Sequence, residues 1–538
     1  MVTIKDNVMT INLKREVDDS YDVIAGDNAV KQLREDVESK KYGSKLAVIV
    51  SPDFHSSFDV EELKGPDVII YKDIFANTPR QALAVMGDMS RNGFGRDSAV
   101  LSVGNNNIAG FIAAYFNRGI NLITLENGGY VDTRFHISST GSGAPKLEAR
   151  KVPRRVYDLL GSRNKHVELK KSVDDSYDIV FLYNIFEYLA GGLADGTIPG
   201  SRFSRYAIVT DSNVKECQAG KLEEEMKRKD LEYKIFSFEA GEPNKTFATC
   251  ERILEEMQQA GYLGFPMIAL GGGVTGDMAG FAAEMINAII LQLPTSSLAQ
   301  ADSAVGGKTA VDTPYGKNLM GAFRQPGWVG NGSATLETLP EREYLCGFTE
   351  ATKHMVIDDN IFLCSTARNV DRILKRNARL LDEIAAFNCR VKGNIVEQDP
   401  HEKGPRRQLN YGHTLGHAIE KLSIDRFQKG LADDYLLHGE AVAIGMALAG
   451  DIATHYGYPD EHRQIVNKVL QNLKQPIKIP AFMRNEDIMK ITTTDKKAKN
   501  GKARFALPIR NGKMNPFEGA YVTYVENDVI LAALKRHR

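Results

Sequence analysis

Two neighbouring stretches decide the fold: residues 268–281, IALGGGVTGDMAGF, and residues 293–323, LPTSSLAQADSAVGGKTAVDTPYGKNLMGAF. An apolar run ends in Gly271, Gly272 and Gly273, then passes into a small-residue helical segment. That is the grammar of a strand–turn–helix in which bare backbone lets a dinucleotide pyrophosphate reach a helix N-terminus. A glycine triplet alone is as often a plain tight turn. The second stretch sharpens it, because Asp302, Lys308, Lys317 and Asn318 fall in a glycine-rich segment, where charged side chains meet a ligand more readily than a core.

Working outward, 538 residues suffice for two to four domains with large cores. Charge is balanced, 68 basic against 69 acidic residues, which gives no reason to expect a nucleic acid or membrane surface as partner. MVTIKDNVMT carries no apolar signal core, and apolar stretches such as 441–450 are too short to span a bilayer. Cys217, Cys250, Cys346, Cys364 and Cys389 are odd in number and lack C-x-x-C spacing, so they read as reduced thiols of a cytoplasmic protein.

The sequence also starts twice. LKREVDDSYD at 13–22 recurs as LKKSVDDSYD at 169–178, an offset of 169 − 13 = 156 residues. KLAVIVSPD is answered by RYAIVTDSN, and NNNIAGFIAAYF by GDMAGFAAEMI, in the same order. Chance likeness between α/β segments does not preserve order, so duplication of a half domain is the expectation. Residues 1–137 form the first α/β copy, 138–165 a small, basic, proline-bearing linker, and 166–335 the second copy.

The copies differ in equipment. The second has Asp211 after its first strand, placed for a ribose hydroxyl, with Glu242 and Lys245 in GEPNK and the glycine triplet. The first has Ser51-Pro52, no such GE-x-x-K, and Gly104-Asn105-Asn106-Asn107, whose side chains would crowd a pyrophosphate. Only the second copy is expected to bind a dinucleotide. From about Leu336 the pattern turns helical, so 336–538 should be a mostly α-helical domain ending in short strands. There His413 and His417 lie four apart on one helix face, with His438 opening another helix and Glu350 in GFTEATKH. Three histidines and a glutamate suit a Zn²⁺-type site with N/O ligands; spacing alone would make both His413 and His417 ligands.

Taken together, GGGV-x-GD-x-AGF, PT-x-x-LAQ-x-DS-x-VGGKT and GKN-x-x-GAF-x-QP resemble the 3-dehydroquinate synthase family, and the likeness runs over roughly 166–538. The resemblance implies NAD and Zn²⁺ (or Co²⁺) as cofactors. It implies Glu350, His413 and His438 as metal ligands, with His417 against substrate instead. Lys353 and Lys392 match substrate-binding lysines, Arg406 the arginine for a substrate carboxylate, and Asn410 and Glu402 groups around its hydroxyls. Asp302, Lys308 and Asn318 complete the pocket, and Lys496 or Lys497 reaches the phosphate. Beside the glycines, Asp211, Glu242 and Lys245, the implied cofactor set takes in Asp277, Thr295, Ser296, Lys308, Lys317 and Thr338. The implied chemistry is transient oxidation by NAD, loss of phosphate, return of the hydride and aldol closure, which makes the enzyme a lyase.

One departure is informative. The family carries a phosphate-binding arginine eight residues past the AGF glycine, reaching into the neighbouring subunit's site. The second copy has Ala288 there (280 + 8), whereas the first has Arg118 (110 + 8). The chain is therefore expected to be an intramolecular pseudo-dimer, and otherwise a homodimer, with Arg118 completing the single site in cis. Arg324 and Gly330-Asn331 are smaller departures that leave room for another sugar phosphate. The alternatives are another sugar phosphate cyclase, such as an aminodehydroquinate synthase, a glycerol dehydrogenase-like enzyme, or a non-catalytic scaffold.

Overall fold

The computed structural model describes residues 4–5, 7–18, 21–25, 29–41, 43–51, 60–63, 65–72, 79–103, 107–118, 120–126, 129–133, 165–167, 170–494 and 502–538. Gly104–Asn106, Pro52, most of the expected linker, Lys496 and Lys497 lie outside these.

Two α/β sheets precede a helical region. The larger sheet orders its strands as Ile4–Lys5, Val8–Ile11, Tyr177–Phe181, Trp328–Asn331, Ile290–Pro294, Met267–Gly271, Arg205–Asp211 and Glu232–Phe238. From Tyr177–Phe181 onward its neighbours run parallel, and the central strands are continuous buried apolar runs, as a doubly covered sheet requires. The second sheet orders Lys165–Val167, Tyr21–Ala25, Gly129–Thr133, Asn121–Glu126, Ala99–Val103, Leu46–Val50 and Val68–Tyr71.

Apart from the additional edge strand Ile4–Lys5 of the larger sheet, the two orders correspond, and each sheet takes the strand at this side from the other half. Val8–Ile11 pairs antiparallel with the second copy's Tyr177–Phe181, Ile11 opposite Tyr177 and Met9 opposite Ile179. Lys165–Val167 returns the exchange on Tyr21–Ala25, Val167 opposite Tyr21 and Lys165 opposite Val23. Adding 156 to the first-half member of each pair and subtracting 156 from its partner turns one set into the other (11 + 156 = 167, 177 − 156 = 21). Between them Lys14–Asp18 and Lys170–Asp174 pair with each other, Lys14 with Asp174 and Asp18 with Lys170. This self-complementary register is that of a two-fold interface, here within one chain. The division expected between 1–137 and 166–335 is thus crossed by strands. Met9, Ile11 and Leu13 are buried with Tyr177, Ile179 and Phe181. A further core joins Ile49, Met86, Phe94 and Phe116 to Val209, Phe281 and Met320.

The copies diverge at one connection. In the second, Ile290–Pro294 leads through residues 295–327, including the antiparallel pair Lys308–Thr313 and Gly316–Phe323, before Trp328–Asn331 rejoins the sheet in parallel. In the first, Asn121–Glu126 turns straight into the antiparallel Gly129–Thr133. The segment that carries Asp302, Lys308, Lys317 and Asn318 has no counterpart there.

From Glu341 the structure is helical as expected, with Glu341–Asp358, Ala378–Gln398, His413–Gln428 and His438–Thr454 around one apolar core. Glu341 and Glu343 in the first turn of Glu341–Asp358 complement its dipole. Short strands pair Arg504–Phe505 with Thr523–Tyr524 and Pro508–Arg510 with Lys513–Met514. Among the described residues no helix is long and apolar enough to cross a membrane.

Candidate active site

The helical region brings its histidines together by close packing. A Cβ on Gly445 would lie 2.0 Å from the carbonyl oxygen of Gly412, so only glycine lets helices His413–Gln428 and His438–Thr454 approach this closely. Nitrogens of His413, His417 and His438 lie within 4.8 Å of one another. Glu350 is fully buried, and its Oε1 stands 3.4 Å from His413 Nε2 and 3.6 Å from His438 Nε2 with no hydrogen bond among the described residues.

The surroundings prepare these groups for a cation. His413 Nδ1 donates to the Tyr411 carbonyl at 3.1 Å, leaving Nε2 with its lone pair inward. His438 Nδ1 faces Glu420 Oε2 at 3.4 Å, the carboxylate–imidazole arrangement found behind metal ligands. Burial opposes charge on His438, yet Glu350 and Glu420 push it up to about 10, so the place attracts positive charge. A divalent ion answers that demand better than a proton, and Glu350, His413 and His438 fit one. Glu420 escaped the sequence reading, although it lies seven residues after His413 on the same helix face.

The dinucleotide side is built at the C-terminal ends of the parallel strands, where such sheets place ligands. Gly272 precedes the helix Gly273–Ile286. A Cβ on Gly271 would meet Thr275 Oγ1 at 2.3 Å, whereas Cβ atoms on Gly272 and Gly273 would stand only over Ser296 and Ser303, at 3.4 and 3.3 Å. The last two glycines therefore border space that side chains would fill, which suits a pyrophosphate. Asp211 accepts from Val214 N at 3.0 Å and from Thr275 Oγ1 at 3.0 Å, so its carboxylate is oriented at the strand end. Lys245 donates to Asp277 at 2.6 Å and to Asn318 at 2.8 Å, joining three of the expected residues. Thr295 N donates to Gly271 O at 2.9 Å, and Ser296 Oγ accepts from Ala299 N at 3.2 Å. Lys317 lies 3.4 Å from Glu242 and 3.1 Å from Glu420, linking the cofactor side to the histidines. Thr338 accepts from Gln218 at 2.6 Å.

Between these sides lies a strongly charged basin. Lys392 donates to the backbone carbonyl of Asp302 at 2.5 Å and forms an ion pair with its carboxylate at 2.6 Å, and Lys353 pairs with Glu350. Burial would raise the Asp302 carboxyl, but Lys392, Lys353 and His354 outweigh it and hold it well below the usual range. Lys308 donates to Glu402 Oε2 at 2.7 Å, and Asn410 Nδ2 to Glu402 Oε1 at 2.9 Å. Burial lowers Lys308 far below an ordinary lysine, and Arg406 and Arg118 add to that against the pull of Glu402. Arg406 is 1% exposed and donates to Pro400 O and Gly306 O at 2.6 and 2.8 Å, while its Nε has no hydrogen-bond partner among the described residues.

Arg118 of the first copy reaches the same basin. It follows a bridge between Phe116 and Met320 and sits in the left-handed region at φ 68°. Its Nε is buried without a hydrogen bond among the described residues, and burial, with Arg96 and Arg406 near, lowers its pKa to about 10. Arg324 instead donates to Ala288 O at 2.5 Å and pairs with Glu284, fastening a helix end. Asn331 turns to Gln300 and Cys389 in the core. These two departures thus have structural partners.

A glycine-lined α/β sheet facing a histidine–carboxylate cluster on helices defines an enzyme of the nicotinamide- and metal-dependent two-domain class. Residues 235–346 match the 3-dehydroquinate synthase N-terminal family and 347–498 the 3-dehydroquinate synthase C-terminal family. The 3-dehydroquinate synthase of Prochlorococcus marinus subsp. pastoris is 37% identical over 64% of this chain and 93% of its own length. That of Thermoanaerobacter sp. is 38% identical over 67% of this chain and 97% of its own. A 2-deoxy-scyllo-inosose synthase solved with carbaglucose-6-phosphate, NAD⁺ and Co²⁺ is 26% identical, with TM-score 0.58 over 68% of this chain and 97% of that one. A 2-epi-5-epi-valiolone synthase from Streptomyces hygroscopicus subsp. jinggangensis, solved with NAD⁺ and Zn²⁺, shares the fold at 22% identity and TM-score 0.56 over 67% of this chain and 96% of that one. The chain belongs to the 3-dehydroquinate synthase family.

Proposed function

We infer that the chain converts 3-deoxy-D-arabino-heptulosonate 7-phosphate to 3-dehydroquinate and phosphate. The observation that carries this reading is relatives of that activity, 37–38% identical, matched over 93–97% of their length. When bound, NAD would exchange a hydride with the substrate and a divalent ion such as Zn²⁺ or Co²⁺ would polarise its hydroxyls.

Glu350, His413 and His438 hold the ion, and Gly271–Gly273, Asp211, Glu242, Lys245, Asp277, Thr295, Ser296, Lys317 and Thr338 border the dinucleotide. Arg406, with Lys392 and Asn410, takes the substrate carboxylate, for which a guanidinium offers two parallel donors. That preference separates this substrate from cyclase substrates without a carboxylate. Asp302, Lys353 and Glu402 orient the hydroxyls, with His417 and Asn318 beside them. Lys308 and Arg118 hold the phosphate, with Lys496 or Lys497 of the segment outside the described residues. One chain is a pseudo-dimer with one site, its first copy standing where a second subunit would. Five cysteines without a disulfide partner suit the cytoplasm.

The test follows phosphate release from the heptulosonate phosphate with NAD⁺ and Zn²⁺ present, alongside absorbance at about 340 nm, the band of the reduced cofactor. Equal phosphate and dehydroquinate without net NADH is the expected result. Steady NADH accumulation would point to a dehydrogenase, and neither signal to a different sugar phosphate.

A further inference from the structure

Arg96 leaves the first copy and enters the second copy's basin. It lies just before strand Ala99–Val103, whose counterpart Met267–Gly271 is offset by 267 − 99 = 168 residues. Gly93 and Gly261 share that offset and the same left-handed backbone, at φ 73° and 74°. The corresponding stretch of the second copy, 261–267, reads GYLGFPM and holds no arginine, so this arginine is private to the first copy.

Its guanidinium ties three segments. Nη1 lies 3.3 Å from Glu402 Oε2 and 3.3 Å from His401 O, and Nε donates to Asn117 O at 3.2 Å. The guanidinium lies over the Phe323 ring, 5.4 Å from its centroid. Each contact touches a functional element. Asn117 precedes Arg118, and both adopt left-handed backbone, at φ 50° and 68°. Phe323 is the cross-strand partner of Lys308. Glu402, itself at φ 59°, accepts from Lys308 on the same oxygen that faces Arg96, and from Asn410 on the other.

We propose that Arg96 is a positioning residue for the second copy's reaction, sharing Glu402 with Lys308 while fixing the backbone that presents Arg118. With Arg96 in place, Oε2 divides its charge between two cations, and Lys308 keeps positive potential for an anion. Without it, Lys308 is neutralised by Glu402 alone, and the Asn117–Arg118 turn loses its tie to the helical region. The first copy then acts on substrate through a residue that need not touch it. This rests on the phosphate role given above to Lys308 and Arg118.

The test compares wild type, Arg96→Gln and Arg96→Lys in the full-length, metal-loaded protein. Arg96→Gln should raise KM for the sugar phosphate about fivefold, the scale of a half-exposed ion pair, while the NAD⁺ dissociation constant and thermal midpoint stay put. Arg96→Lys should recover part of the loss. In the Glu402→Gln background Arg96→Gln should add less than about twofold, because the two act through one carboxylate. Calorimetric titration with inorganic phosphate, in the absence of turnover, should show the same weakening, so the proposal is tested even if the heptulosonate phosphate is not the substrate. An unchanged KM and unchanged phosphate affinity would overturn it, as would a loss confined to the amount of folded protein.

Discussion

Glu16 stands opposite Ser172, its own counterpart 156 residues further along the chain. On either side Arg15 faces Val173 and Val17 faces Lys171, two pairs that the same 156-residue relation interchanges, so the pseudo-two-fold axis passes through the central pair. A self-complementary strand pairing lies within a single polypeptide, and several consequences can be measured.

The exchanged strand is part of the second copy's core. Met9 and Ile11 are both 0% exposed, in a sheet that carries the cofactor glycines. Ile11→Ala should cost about 2–5 kcal/mol in denaturant unfolding and lower the midpoint of NAD-protected unfolding too. Cleavage within 141–160 should leave both fragments together on a sizing column, because each holds a strand of the other.

Arg118 is the first copy's direct contribution to the basin. Arg118→Ala removes a half-buried guanidinium whose Nε has no hydrogen-bond partner among the described residues. KM should rise by about tenfold or more and kcat should fall, as expected for loss of a charged group that meets an anion. Steady-state kinetics with wild-type values would remove Arg118 from the site.

Glu420 orients His438 without reaching Glu350's side of the cluster. Glu420→Gln should weaken metal binding about 10–100-fold, whereas His438→Ala should lose a ligand outright. Chelator competition measures both, and Co²⁺ reconstitution gives a visible spectrum that His438→Ala should alter in shape and Glu420→Gln chiefly in occupancy.

His354 supplies a pH signature. It is fully buried, with Nδ1 2.9 Å from Asn388 Oδ1, and burial, aided by Lys353, lowers it from 6.5 to about 4. A histidine held neutral by the fold contributes stability that is complete above pH 6.5 and is lost as pH falls toward 4. Between pH 7 and 4.5 that loss amounts to about 2 kcal/mol. His354→Gln should start less stable at pH 7 yet show a shallower fall, and equal slopes for the two proteins would refute the assignment.

Much of this was legible in the residues themselves. The glycine triplet, the histidines at 413, 417 and 438, and the turn to helix near Leu336 announce themselves by local pattern. Strand exchange does not: the alternation in VMTI gives a buried face but not the sheet that will bury it, since register says nothing of partner. Arg96 was silent for a related reason. Its carboxylate lies 306 residues away, and a lone arginine in a turn looks like any solvated charge. Glu420 was visible in principle, on the face that His413 and His417 define, but a glutamate behind a histidine has no spacing of its own.

The exchanged strands also act as a ratchet on descent. A half without phosphate-cradling glycines, and without any counterpart of residues 295–327, would ordinarily be free to disappear. Here its opening strand is woven into the working sheet and its arginines into the working basin. Excision would strip a buried strand from the sheet that carries the cofactor glycines, so the degenerate half is tied to the one that keeps them.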